Sequence, residues 1–281
     1  MNGVAGPWAG RLSLGWLTLS GVTPLEQIAA AASADFSDVG LKFARRPGDT
    51  KPALSEKPWL FRDIAHSLSD NEIALLNMGG ISLDGRPPLD WCKGALEAGS
   101  GLGARFVVAI VSDPERRRVV DHFASLCEEC GKLGMSVVIE FFAYSTVRTI
   151  EEAHRIVTAS EQENAGILVD ALHLYRSGGS AESLRRIPSK QILLAHICDA
   201  PAQSPPQAGL SYEARHDRLD AGFGRLPLAD FADSLPSQIP IEVVVPCRQY
   251  ANMAHRERAA LAGNAARVLL RSAASSKVEH S

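Results

Sequence analysis

The chain of 281 residues is short of several things, and each shortage excludes a class of protein. Its longest apolar runs fall well below the ~18 residues that a membrane-spanning helix needs, so no membrane partner is expected. Positive charge is not in surplus: 29 Lys and Arg stand against 32 Asp and Glu, for a net charge of -3. That balance leaves no electrostatic footprint for nucleic acid or an anionic membrane surface. Cysteine is sparse and odd in number, five residues set inside strand-like or helix-like stretches. A reduced, cytoplasmic protein is therefore expected rather than a disulfide framework. The opening MNGVAGPWAGRL has no basic segment followed by a long apolar core, so no secretory leader is expected. No G-x-G-x-x-G motif follows the first strand-like run, which disfavours a dinucleotide-binding layout. Repeats of solenoid period are absent, and the one biased stretch is PAQSPPQAG at 201–209.

What is there is an ordinary globular composition, 46% hydrophobic and 22% charged, arranged as an alternation. Strand-like runs fall at 11–19, 34–43, 71–80, 103–113, 135–142, 164–170, 191–199 and 239–246. Helical patterns lie between them, at 23–34, 57–70, 89–103, 114–134, 149–162 and 180–187, and a terminal helix at 254–274. Thr23, Pro24 and Glu26 form a capping box with proline at the first helical position, and Thr149 with Glu152 repeats the box. Alternating strand and helix units dictate a parallel sheet covered by helices. About eight of each suggest closure into a (β/α)8 TIM barrel, α/β in class, which typically takes about 250 residues. One domain over residues 1–281 is expected, with 274–281 a flexible tail.

Four of the apolar runs carry a single metal-capable side chain near their carboxyl ends. MSVVIEFF (135–142) holds Glu140, GILVD ends in Asp170, ILLAH ends in His196, and IPIEVVVP (239–246) holds Glu242. A lone charge at the end of a buried strand costs several kcal/mol unless something compensates it. In a barrel these positions sit at the face where chemistry is done, and neighbouring strands are only about 4.8 Å apart. Three clustered carboxylates repel one another unless a cation is shared. Three oxygen donors and one imidazole suit manganese, magnesium or cobalt, and zinc is also compatible. The bland alternative is four separate buried ion pairs, each with a basic partner from a neighbouring loop.

The longer motifs add a family likeness. VVIEFF at Glu140, LVDALHLYRSGG with Asp170 and His173, LLAHICDAP with His196 and Asp199, RLDAGFGRLPL with Arg218, Gly222 and Gly224, and IPIEVVVP with Glu242 occur in this order. In this the chain resembles the xylose isomerase-like TIM barrel superfamily, in particular its sugar phosphate isomerase/epimerase group, which includes ketose 3-epimerases, hydroxypyruvate isomerases and inosose or 3-dehydroshikimate dehydratases. The resemblance implies that Glu140, Asp170, His196 and Glu242 are metal ligands, that His173 and Arg218 hold substrate oxygens, and that Glu140 and Glu242 are an acid/base pair. It implies a divalent-metal-dependent isomerase or epimerase of a small polyhydroxy carbonyl compound, working through an enediolate. The alternative in the same site is a lyase that dehydrates an inosose or 3-dehydroshikimate. A relative of the apurinic endonucleases of the superfamily would need a basic groove for DNA, and a retired binding protein would have no reason to keep all four ligand positions filled.

Other residues carry weaker signals. Arg215 and His216 stand beside Arg218 and compete with it for the substrate role, and Asp199 is as suited to orienting a neighbour as to touching substrate. Lys42, with Arg45 or Arg46, could meet an anionic group, although a solvated loop explains them too. Cys127 and Cys130 form a CxxC inside a helical pattern and are expected to be packing residues. Trp16, Phe141 and Phe142 lie near strand ends, where at least one should wall a pocket. The segment after the seventh strand, PAQSPPQAGLSYEARH, is long and proline-rich, so substrate preference does not transfer simply. No glycine-rich phosphate cradle follows the last two strands, which speaks against a phosphorylated substrate. The oligomeric state is left open, a homo-oligomer included.

Overall fold

Short β-branched and apolar runs bounded by turns bury both faces most cheaply between helices, and that is what these eight do. The computed structural model describes residues 11–43, 54 and 57–279. In chain order the elements are β1 (Leu12–Leu14), α1 (Pro24–Ser33), β2 (Asp38–Lys42), α2 (Phe61–Asp70), β3 (Ala74–Leu83), α3 (Leu89–Gly101), β4 (Phe106–Val111), α4 (Arg116–Lys132) and β5 (Ser136–Glu140). They continue with α5 (Ile150–Ala159), β6 (Ala165–Asp170), α6 (Ala171–Arg176), α7 (Ala181–Arg185), β7 (Ile192–Ile197), α8 (Leu210–His216), α9 (Leu228–Ser234), β8 (Ile241–Val243) and α10 (His255–Glu279). The eight strands pair in sequence order, all parallel, and β1 closes on β8 through Leu12 opposite Ile241. This is a (β/α)8 TIM barrel, as the alternation implies. No helix among the described residues is long and apolar enough to cross a membrane.

Two apolar layers hold it. The larger lies between the barrel and its helices and takes the buried stripe of each helix; α4, for instance, buries Val119, Phe123, Leu126, Cys127 and Cys130 at helical spacing. All five cysteines are free and buried, so Cys127 and Cys130 are packing residues. The smaller layer fills the inside of the barrel: Leu76, Val108, Val138, Leu168 and Leu194. Side chains in a strand alternate, so positions two apart share a face. Glu140, Asp170 and His196 each follow one of these interior residues by two. The barrel floor thus delivers them to the same opening.

Several boundaries differ from the sequence expectation, each for a local reason. The first strand ends at Leu14 rather than running to residue 19, because Gly15 donates to Val243 and Thr18 donates back to Gly15, turning the chain across the mouth. The Gly79-Gly80 pair does not terminate β3. Gly80 takes a φ of 102°, the register slips there, and the strand continues to Leu83. The Thr23–Glu26 capping box is complete, whereas the second is half-formed. Thr149 accepts from the Glu152 amide, but the Glu152 carboxylate turns to the Arg148 amide and Arg116. The proline-rich segment after β7 folds into α8, and α9 follows it. Arg45 and Arg46 lie outside the described residues.

Candidate active site

Register places the four strand-end groups. Asp170 pairs with His196, His196 with Glu242, and Glu242 with Ser13, so these four sit in one row across β6, β7, β8 and β1. Glu140 pairs with Leu168, one interior step below Asp170, through the stagger of the barrel. Ligand atoms of Glu140, Asp170 and His196 all lie within 4.8 Å of one another, and all three residues are buried. His196 Nδ1 is 3.4 Å from Glu140 Oε1 and 3.4 Å from Asp170 Oδ2, while its Nε2 is 3.5 Å from Glu242 Oε1. The two glutamates therefore flank one imidazole on opposite edges.

Those distances are long for hydrogen bonds, and neither ring nitrogen of His196 has a hydrogen-bond partner although both are buried. Orphaned buried nitrogens are rare and call for a missing neighbour. Burial alone would push the His196 pKa down, but the three surrounding carboxylates, Asp170, Glu140 and Glu242, outweigh it and hold the imidazole well above its usual range. Burial pushes the Glu140 carboxyl up, and the nearby His196 more than reverses that, leaving it below the ordinary value. Asp170 lies well below its ordinary value, since Arg218 and the two histidines overcome its burial. The cluster is thus an anionic site in want of a cation. Oxygen and imidazole donors without thiolate fit a divalent metal.

Other groups fix these four. Glu242 Oε2 accepts from Ser13 Oγ at 2.8 Å and from Asn77 Nδ2 at 2.5 Å. Gly40 leaves room for that carboxylate; a Cβ there would stand 2.5 Å from Glu242 Oε2. Asp170 caps α6, accepting from the His173 amide at 3.1 Å. Arg218 is 2% exposed and donates to Asp170 Oδ2 at 2.7 Å, with Nη2 3.4 Å from His173 Nε2. Asp170 therefore has the basic partner that the strand itself does not supply. Burial holds the His173 imidazole down at about 4, so it is neutral near neutral pH. Its ring packs edge-on against Phe142, with centroids 4.6 Å apart, and against Tyr144 at 5.8 Å.

A small cavity opens onto this cluster, lined by Trp16, Phe142, Tyr144, Arg215 and Val244 together with Glu140, His173, His196, Arg218 and Glu242. Phe141 is in the core instead. Lys42 lies with its ammonium 5.0 Å from the centre of the Trp16 ring. Asp199 turns out to be an organiser of backbone. Its carboxylate accepts from the amides of Ala200, Gly222, Gly224 and Leu226, pinning the loop after Arg218. Ser13, Asn77 and Tyr144 were missed in the sequence. A signal existed for the first two, since each interrupts an apolar strand with one polar group.

The fold and site together define a (β/α)8 barrel with an acidic, imidazole-bearing cluster at the carboxyl ends of its strands. A family profile described as xylose isomerase-like TIM barrel matches residues 28–269, and the chain belongs to that family. It is 31% identical over 146 residues to an inosose isomerase of Bacillus subtilis, covering 48% of this chain and 51% of that protein. It is 27% identical over 114 residues to a 3-dehydroshikimate dehydratase of Pseudomonas aeruginosa, covering 40% of this chain and 18% of that one. The chain spans about half the length of the inosose isomerase it matches. Among solved structures, the IOLI protein with a bound zinc atom superposes with a TM-score of 0.80 at 20% identity, covering 93% of this chain and 98% of that one. A D-psicose 3-epimerase superposes with a TM-score of 0.72 at 13% identity, covering 92% and 99%.

Proposed function

We propose that the protein is a divalent-metal-dependent isomerase or epimerase of a small polyhydroxy carbonyl compound. The observation that carries this is the buried His196, its two nitrogens unpartnered between Glu140, Asp170 and Glu242 at the base of a cavity. These four residues would hold the metal, with manganese, magnesium or cobalt favoured by the oxygen-rich donor set and zinc compatible with it. When bound, the cation polarises a substrate carbonyl and stabilises the charge left once the neighbouring proton is removed. The remaining work falls to the protein. Glu140 and Glu242, on opposite edges of His196, take a proton from the carbon beside the carbonyl on one side and return it on the other. His173, neutral and fixed by Phe142 and Asp170, and Arg218, fixed by Asp170, orient substrate oxygens. Trp16, Phe142 and Tyr144 wall off water.

A second reading, loss of water from an inosose or 3-dehydroshikimate, draws on the likeness to a 3-dehydroshikimate dehydratase. The two separate in one experiment. Ketoses, hydroxypyruvate, inososes and dehydroshikimate are incubated with metal-loaded protein in deuterated water. Both reactions exchange the proton beside the carbonyl, but only the lyase yields an ultraviolet-absorbing enone. Glu140→Gln should keep the fold and lower turnover by about 10²- to 10⁴-fold, the usual range for acid–base catalysis. Near-normal turnover in that variant would remove the acid/base role.

A further inference from the structure

We infer that Arg215 reads the charge of the substrate, and that the substrate carries one carboxylate besides its carbonyl and hydroxyl groups. This rests on the proposed reading of the site. Helix α8 and the two residues after it hold four charged groups in sequence, Glu213, Arg215, Asp217 and Arg218. Three are matched within the protein: Glu213 by Arg176 at 2.7 Å, Asp217 by Arg248 at 3.1 Å, and Arg218 by Asp170 at 2.7 Å. Arg215 has no such partner among the described residues, yet it lines the cavity beside Arg218 and Glu242.

The helix that presents Arg215 is fastened on both sides of it. Arg176 and Glu213 are 5% and 9% exposed at the side chain and meet through two nitrogens, and Arg176 also donates to the Pro201 carbonyl at 2.7 Å. Arg176 is the last residue of α6 and Asp170 is its cap, so both ends of α6 grip α8. That fixes the backbone from which the exposed Arg215 side chain reaches the cavity. The charges then decide what it meets. Glu140, Asp170 and Glu242 are balanced by Arg218 and a doubly charged metal, leaving the Arg215 charge over. A neutral polyol leaves that charge unmatched. One carboxylate matches it, and guanidinium and carboxylate pair through two parallel hydrogen bonds. A phosphate dianion would overshoot, and no glycine-rich cradle follows the last two strands.

The test is equilibrium binding by titration calorimetry to the metal-loaded full chain with Glu140 intact, using probes that carry a hydroxyl in place of the carbonyl, so that turnover does not intrude. The probes are shikimate, its methyl ester and a neutral inositol. The acid should bind at least about tenfold more tightly than the ester, the scale of one charge-assisted contact. Arg215→Met should erase that difference while leaving the ester and the inositol within about twofold, and Arg215→Lys should keep part of it. Equal binding of acid and ester, or equal weakening of both by Arg215→Met, overturns this inference and leaves the isomerase reading standing. If no probe binds while the metal is retained, this inference falls, and the isomerase reading is judged separately by the deuterium-exchange screen.

Discussion

Arg218 offers a quantitative test of how the cluster is balanced. Its guanidinium meets Asp170 at 2.7 Å with side-chain exposures of 2% and 0%. Removing one partner of so buried a pair costs about 3 to 5 kcal/mol, because the surviving charge is left uncompensated. With an unfolding entropy of about 2.1 cal/mol/K per residue, Arg218→Met in a chain this long should lower Tm by roughly 5 to 8 °C. That figure belongs to the metal-free protein. A cation held by Asp170 supplies the missing charge, so the metal-saturated variant should lose less. If about half the cost is restored, roughly 2 kcal/mol, linkage requires the variant to bind metal about 30-fold more tightly. Circular-dichroism melts with and without chelator give the first quantity, and calorimetric titration with manganese gives the second. Equal Tm losses in both states, with metal affinity unchanged, would refute the reasoning and leave Asp170 as one half of a structural ion pair.

The other predictions concern the same cluster. Chelator should lower the Tm of the wild-type protein, because metal stabilises the native state alone; no shift, with no metal on elemental analysis, would leave only the barrel. Metal affinity should fall about tenfold per pH unit below the raised pKa of His196, since the imidazole must lose its proton to become a ligand. Titrations between pH 5 and 9, numbers set by that roughly neutral reference range, would show a flat profile if His196 is not a ligand. In the metal-free protein the signs oppose each other. The raised His196 contributes stability that is complete below about 6.5 and lost as pH rises through its folded value, while the depressed Glu140 and Asp170 contribute stability present above about 4 and lost as pH falls. Metal should abolish the alkaline loss; identical pH–Tm curves with and without metal would contradict this. Asn77→Leu removes one donor to the Glu242 carboxylate and should cost about 1.5 to 3 kcal/mol, and an unchanged Tm would show that Asn77 does not hold Glu242.

The sequence revealed most where polarity broke a pattern. Glu140, Asp170, His196 and Glu242 stood out because each is a lone polar group at the carboxyl side of an apolar run, and register does bring them to one end of the barrel. Ser13 and Asn77 break the pattern in the same way but carry no charge, and a hydroxyl or amide in a strand has many ordinary explanations. The Arg218–Asp170 pair joins residues 48 positions apart, and no local rule gives the path of a long loop. The choice between Arg215 and Arg218 was equally closed to sequence, since it turns on how α8 is docked. Boundaries failed where glycine did something other than end an element. Gly80 bends β3 without stopping it, whereas Gly15 stops β1 early.

The two glutamates are not equivalent, and the difference bears on how each of them moves a proton. Glu242 is held through Oε2 by Ser13 and Asn77, and Gly40 lets the backbone of β2 pass against it. A carboxylate fixed by two donors keeps its place. Glu140 stands above Val138 in the apolar layer and lacks the two donors that hold Glu242, with His196 Nδ1 at 3.4 Å and Asp170 close by. It also lines the cavity. Such a carboxylate can rotate and accept a proton without breaking a hydrogen bond, and only the loss of its ionic attraction to the site opposes the change. On the proposed reading, then, both glutamates handle the proton, Glu242 as the better fixed of the pair and Glu140 as the freer to turn. Burial over the interior apolar layer raises the Glu140 pKa, and in the metal-free site the neighbouring His196 more than reverses it.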